Sequence, residues 1–442
     1  VSAFEQCKNL KNIVIPQSIT YISDNAFMGC VVLDSITLPE GLTRIGDSSF
    51  ANTGLTQITF PETLKIIGNS TFENCKSLKK LTFPKGLTQI GNSVFANTGL
   101  TQVIFPELIT NIGDSTFKFC KDINKITLPE GLTQIGNSVF ANTGLTQITF
   151  PETLKIIGDN TFQYCTNLNR VTLPEGLTQI GNSAFANTTL TEITIPEGVH
   201  IGDSVLANCT KLAKVIISRG VNIGKSTFSG CTELTNIIMP EDLDCIGENA
   251  FRGCRKLSGI FLPEGVTDIG MEAFRSCSNL DRIVLPKSLK NIDSMSFYMC
   301  DNLSKVYYNG SKEDWNKISI GSYNDQLYHA TIFFPESLEN NFLFHEVNGE
   351  ITIVGVIEDQ ENVIVPSVIN GKPVVRIGEK AFNECVNLQR ILIPKSITSI
   401  ENSAFYNCNR IKRVFYEGTK EEWENILIGE KENSCLTGKS KY

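Results

Sequence analysis

The chain is poor in the residues from which active sites are usually built. Histidine occurs only three times, as His200, His329 and His345, and tryptophan twice, as Trp315 and Trp423. H-x-x-x-H, G-x-S-x-G, a phosphate loop and a Cys/His metal spacing are all missing, so the usual sequence marks of a hydrolase, a nucleotide enzyme or a zinc site are absent. No apolar run approaches the ~20 residues needed to cross a bilayer as a helix. Basic charge is not in excess either. The formal net charge is −8, with both signs spread along the chain, whereas a nucleic-acid binder needs a basic stripe to neutralise phosphates. There is no initiator Met and no signal-peptide pattern, and Val1 falls inside a repeat. We therefore expect a mature segment or fragment of something longer.

What the chain has instead is repetition, and a periodic sequence is best read by its period. Phe4, Phe27, Phe50, Phe72, Phe95, Phe117, Phe140, Phe162 and Phe185, then Leu206, then Phe228, Phe251, Phe274 and Phe297, follow one another at 21 to 23 residues. Between them recur L-x-x-I-x-[ILF]-P, L-x-x-I-G and F-x-x-C. In Ile58-Thr59-Phe60 the apolar residues alternate, the period of a strand with one buried face. Pro16, Pro39, Pro61 and their equivalents end that strand because proline cannot donate to a ladder. Gly46, Gly68 and Gly91 permit a tight corner, and Asp47-Ser48 and its counterparts are expected to cap a helical turn carrying Phe and Cys inward. One turn cannot bury its own apolar residues, but stacked turns can. The expected architecture is a repeat solenoid with a parallel β-sheet and short extended and helical segments in each turn. At about 4.8 Å per strand, some fourteen turns would make a rod of roughly 65–70 Å.

Two finer patterns subdivide the array. Turns reading F-A-N-T-G-L, from Phe50, Phe95 and Phe140, lack Cys and alternate with F-x-x-C turns, and residues 132–145 repeat 87–100 letter for letter. Such duplication lengthens a chain without creating an active site. Near Asn309 the array breaks. Residues 306–320 recur as 414–428, each with a capping-box spacing, Ser311 to Asp314 and Thr419 to Glu422,. A short helix there would lay Trp315 or Trp423 over an open end of the core, as terminal repeats require. Residues 341–365 alternate about Asn348-Gly349, a hairpin signal. We therefore expect a main solenoid over 1–335, capped by 306–335, and a smaller module over 336–442 with hairpin, turns at Phe382 and Phe405, and a closing cap.

The repeated pattern resembles the BspA-like (Treponema pallidum-type) leucine-rich repeat family. Pro39-Glu40-Gly41-Leu42, Ile45-Gly46, Ala273-Phe274 with Cys277, and the V-Y-Y-N-G-S-K-E-D-W cap carry the likeness over essentially all of the chain. It implies a right-handed, curved solenoid and an extracellular or cell-surface protein, non-catalytic and cofactor-free, that binds or adheres to a protein or glycan partner. It supplies no catalytic, metal or ligand residues to carry over.

Several features need weighing against plainer readings. Twelve of the fourteen cysteines share the F-x-x-C position, and Thr53, Thr98 or Thr143 replaces them elsewhere. Stacked Cβ vectors run parallel rather than facing, which disfavours disulfides, so these are read as buried free thiols, with Cys245 and Cys435 off the ladder. The Pro-Glu column from Glu40 to Glu264 offers single carboxylates too sparse for the six to eight oxygens that Ca²⁺ takes, and is read as a solvated edge. A polysaccharide-cleaving β-helix would place acids or bases at the strand-centre column. Here that column reads Val14, Thr37, Thr59, Thr82, Ile104, Thr127, Thr149, Thr172 and Thr194, then Ile216, Ile238, Phe261, Val284 and Tyr307. Thr favours strands in any case, and one Thr per turn on a curved sheet argues against an ice-ordering role. Five consecutive apolar residues on an exposed sheet mark either a contact site or a surface covered by the second module. Both readings stand at this point. The candidate contact set is Ile216, Ile238, Phe261, Val284 and Tyr307, flanked by Lys214, Arg282 and Lys305. The alternative function is a passive spacer that projects another domain from a cell envelope.

Overall fold

A computed structural model describes residues 2–240, 242–334, 342–356, 359–429, 433, 435–436 and 440–441. The chain winds into a parallel β-solenoid of about 17 turns with few helices. Each regular turn contributes one strand of three or four residues, such as Gln57–Thr59 or Lys214–Ile217, and one of two residues, such as Ile66–Ile67. The two kinds form two parallel ladders along the axis. In the first, Thr149 lies opposite Thr172 and Thr194 opposite Ile216. In the second, Ile45 lies opposite Ile67 and Ile67 opposite Ile90.

The segment carrying Phe and Cys differs from the expected capped helical turn. Alternate residues donate along the axis to the next turn: Ser48 N–H to Asn69 O at 2.8 Å, Phe50 to Thr71 at 2.9 Å and Asn52 to Glu73 at 2.8 Å. An α-helix would send those bonds back within its own turn. The alternation is possible because Ser48 and Asn52 adopt positive φ, 51° and 59°, as do their equivalents in nearly every turn. Asn tolerates this left-handed region better than most residues. Asp47 likewise serves its neighbour rather than its own turn. Its Oδ1 accepts from Asn69 N–H at 2.8 Å, Asn69 Oδ1 accepts from Asn92 N–H at 2.9 Å, and the chain of bonds runs on through Asp114, Asn137, Asp159, Asn182 and Asp203. Gly46 is needed for close approach rather than for a special φ, since a Cβ there would sit 2.7 Å from the Asp24 nitrogen.

The apolar residues of each turn point to the axis and form one continuous core from Ile15 to Leu327. Phe rings stack turn on turn at 5.2–5.9 Å from Phe4 to Phe185, and at 5.3–5.4 Å from Phe228 to Phe297. The gap at Leu206 is filled by that side chain, which is buried. Beside this column the Cys thiols donate to the Phe carbonyl one turn back, at 3.1 Å for Cys75 to Phe50 and 3.0 Å for Cys120 to Phe95. Thr53 occupies the same place, donating to Phe50 O at 2.8 Å and touching Cys75 Sγ at 3.1 Å. Thr and Cys are therefore interchangeable as small donors. Cys435 belongs to this ladder too, with Sγ 3.6 Å from Phe405 O, so its placing off the ladder is corrected. Cys7, at the other end, is exposed.

Both capping boxes form. Ser311 Oγ accepts from Asp314 N–H at 3.1 Å and Thr419 Oγ1 from Glu422 N–H at 3.2 Å. The helices they start, Lys312–Trp315 and Lys420–Glu424, bring Trp315 to 5.4 Å from Tyr308 and Trp423 to 5.3 Å from Tyr416. A second hydrophobic core runs from Phe342 to Leu436. It is opened by the antiparallel pair Phe342–Val347 and Glu350–Val356 around Asn348-Gly349, where both residues have positive φ. The boundary expected at 335/336 falls in 335–341, outside the described residues.

Candidate partner-binding face

The strand-centre column pairs in register within each sheet, at Val14–Thr37, Thr59–Thr82, Ile104–Thr127, Thr149–Thr172, Thr194–Ile216–Ile238 and Phe261–Val284–Tyr307. Its two halves meet different environments. Thr59, Thr82, Thr127, Thr149, Thr172 and Thr194 are exposed, and Ile104 among them keeps 66% of its surface open. At the junction of the halves Arg170, Thr172, Glu192, Thr194, Lys214 and Ile216 line a groove of about 250 Å³.

The apolar half is not an open stripe. Val284 and Tyr307 retain 9% and 8% of their surface and cluster with Leu343, with Phe261 and Val354 packed against them. The expectation of an exposed contact is corrected for these two. The hairpin of the second core lies over them, so apolar surface that would otherwise meet water is removed from it. Ile216, Ile238 and Phe261 are half-buried, as are Lys214 and Arg282, while Lys305 is exposed. A hydrogen bond from Lys380 Nζ to Ser258 Oγ at 2.8 Å joins the two parts at the same place.

The two parts do not close completely. Between them lies a cavity of about 430 Å³ whose wall includes Ile238, Phe261, Arg282, Asp359, Glu384 and Tyr406. Burial pushes the Glu384 carboxyl up to about 7, against the opposing pull of Lys214, a hydrogen bond with Asn407, and Lys380. His345 is held below its ordinary value, again by burial first. Glu384, Lys380, Leu343 and Val354 were missed as site residues from the sequence. For the first two a signal was present: they stand where other turns place Asn and Ser. No group of three or more His, Cys, Asp or Glu that would hold a metal converges among the described residues. Nor, among them, is any helix long and apolar enough to cross a membrane.

An array of in-register short strands stacked around Phe- and Leu-lined cores, with capping helices, defines a leucine-rich repeat solenoid. The BspA-type leucine-rich repeat region, as a family profile of six copies, matches residues 1–124, 88–213, 199–324 and 361–426. The chain belongs to that family. Among solved structures it is similar to a leucine-rich repeat protein from Bacteroides ovatus, at 30% identity and a TM-score of 0.61, over 73% of this chain and 92% of that one. It is also similar to a leucine-rich cell-surface protein from Faecalibacterium prausnitzii, at 28% identity and a TM-score of 0.40, over 68% and 90%. Comparison with curated proteins gives no match.

Proposed function

We propose that this chain is a non-catalytic, extracellular or cell-surface binding protein that holds a protein or glycan partner against the open part of its strand face. The observation that carries the reading is the lane of solvent-facing strand centres from Thr59 to Thr194. It includes the open Ile104 and ends in the groove beside Ile216. Such a face supplies flat β-branched surface with charges of both signs at its edge, from Arg170, Glu192 and Lys214. Exposed apolar and β-branched surface in a continuous lane is the usual mark of a contact region. From the original contact set, Ile216, Ile238, Lys214 and Lys305 remain as proposed contacts at the rim, whereas Val284 and Tyr307 hold the second module. The division into modules 1–335 and 336–442 is part of this reading, supported by two separate hydrophobic cores. Membership in a family of surface proteins supports the location.

The test compares fluorescently labelled chain with the variant Ile104→Asp/Thr149→Asp/Ile216→Asp for binding to whole cells and to a glycan array. The three lane charges are expected to reduce binding at least tenfold with an unchanged melting temperature. Equal binding by both would favour the spacer role and end the lane proposal.

A further inference from the structure

The cavity between the two modules has features that their docking does not explain. In the repeating F-x-x-C turn the residue after the next is left-handed and Asn is its commonest type, as at Asn52, Asn74, Asn97, Asn142, Asn187, Asn208 and Asn407. In the turn that faces the cavity it is Glu384, at φ 60°. The Ser of the same turn type, as in Ser48, Ser70 and Ser93, is replaced by Lys380, at φ 56°. Side chains with a Cβ are strained in this left-handed conformation. Both replacements fall in one turn, and both side chains line the cavity.

Glu384 has a hydrogen bond with Asn407 and the charges of Lys214 and Lys380 nearby, but these do not satisfy the whole carboxylate. Its Oε1 is shut off from solvent and has no hydrogen-bond partner among the described residues, and the same holds for Oδ1 of Asp359 on the same wall. A buried carboxylate oxygen left unpaired keeps its desolvation penalty, so such groups call for a partner. Across the cavity Gly259 removes a side chain where a Cβ would sit 3.0 Å from Arg282 Nε. That keeps space open beside Phe261.

The wall chemistry narrows the occupant. Lys214 and Lys380 bring positive charge to Glu384, and Arg282 lies on the same cavity wall. A small anion would meet both carboxylates, and a small cation would meet the three basic groups. A neutral ring bearing several hydroxyls suits both sets at once, donating to the carboxylate oxygens and accepting from Arg282 and Lys380. Its C–H face would rest on the rings of Phe261 and Tyr406, which are hydrophobic bodies of matching width. A volume of about 430 Å³ lies within the range of small-ligand sites,. We propose that the inter-module cavity is a binding site for a single hexose residue of a glycan, held by Glu384, Asp359, Arg282 and Lys380 and stacked on Phe261. This site adjoins the end of the strand lane at Ile238 and Lys214 but does not include the lane's open Thr and Ile104 positions, so the two are tested apart.

The experiment is saturation-transfer NMR and calorimetric titration of the full chain with D-glucose, D-galactose, D-mannose, L-fucose and N-acetyl-D-glucosamine. At least one is expected to bind. Glu384→Gln, which keeps the shape and loses the strong acceptor, should weaken it about tenfold or more. Gly259→Val, which fills the space, should abolish it, while Ile104→Asp on the lane should leave it unchanged. Circular dichroism melts establish that each variant is folded, and Asp359→Asn replaces Glu384→Gln if the latter is not. Failure of all five sugars to bind, or unaltered binding by both Gly259→Val and the carboxamide variant, would overturn the proposal.

Discussion

At the scale of single residues, position within the turn sets chemical behaviour. The ladder thiols donate to a carbonyl in a dry core, and burial pushes Cys120, Cys165 and Cys209 up to about 11, with Cys231 and Cys277 raised well above the ordinary range. Since thiolate is the reacting species, a disulfide reagent at pH 8 is expected to label exposed Cys7 within minutes. The buried ladder thiols should react only after denaturant is added; peptide mapping by mass spectrometry checks the order. Rapid labelling of Cys254 in the folded chain would contradict the stacked core.

Glu384 gives a pH dependence whose sign is fixed by the direction of its shift. Burial, the largest cause, holds it at about 7 where an ordinary glutamate sits at 4.5. The folded form therefore prefers the protonated acid. Below pH 4.5 the group is neutral whether folded or unfolded and costs nothing by this route. From 4.5 to about 7 an increasing penalty appears, and above that it is constant. At ~1.36 kcal/mol per pH unit between the two values it reaches at most about 3 kcal/mol. Glu384→Gln should accordingly raise the melting temperature at pH 8 and leave it nearly unchanged at pH 4.5. A variant that melts lower than the parent at pH 8 would show that the ionised carboxylate is stabilising there.

At the scale of the element, the unit is neither helix nor hairpin but a turn satisfied by its neighbours. The Asp/Asn column is one example: Asn137 Oδ1 accepts from Asp159 N–H at 2.7 Å, and Asn137 N–H donates to Asp114 Oδ1 at 2.7 Å. Asn137→Ala removes the acceptor of the Asp159 N–H at an exposed edge, where water replaces it, and should cost about 0.5–1 kcal/mol in urea unfolding,. Asn137→Asp, which restores the acceptor as Asp114 and Asp159 do naturally, should cost much less. The strand, the proline stop and the capping boxes were legible beforehand because their causes lie within a few residues. The left-handed Ser48 and Asn52 were not, since Asp-Ser followed by Asn also suits a capped helical turn. Only the availability of an adjacent turn as hydrogen-bond partner selects the alternative.

At the scale of the whole molecule, the hairpin of the second core covers the apolar end of the strand-centre column. Leu343, fully buried, sits at the centre of that seal with Val284 and Tyr307. Leu343→Asp is expected to undock the modules while each core survives. Small-angle X-ray scattering should then show a larger radius of gyration, and a hydrophobic dye should bind newly open surface at Val284 and Tyr307. An unchanged scattering profile would mean that the seal does not depend on this contact.

The sequence by itself determined the solenoid, the in-register columns and the direction of nearly every side chain, because a period of 21–23 residues with parallel stacking makes each residue's environment a copy of its neighbour's,. It also placed the caps and the hairpin, whose signals are local. What only the tertiary structure decided is which stretch of the strand face meets water. The Thr half does, and Val284 and Tyr307 do not. Covering them takes a contact outside the repeat, between Leu343 and strands far earlier in the chain. Periodicity carries no information about such a contact, which forms because the hairpin and the stripe both lose exposed apolar surface when they meet.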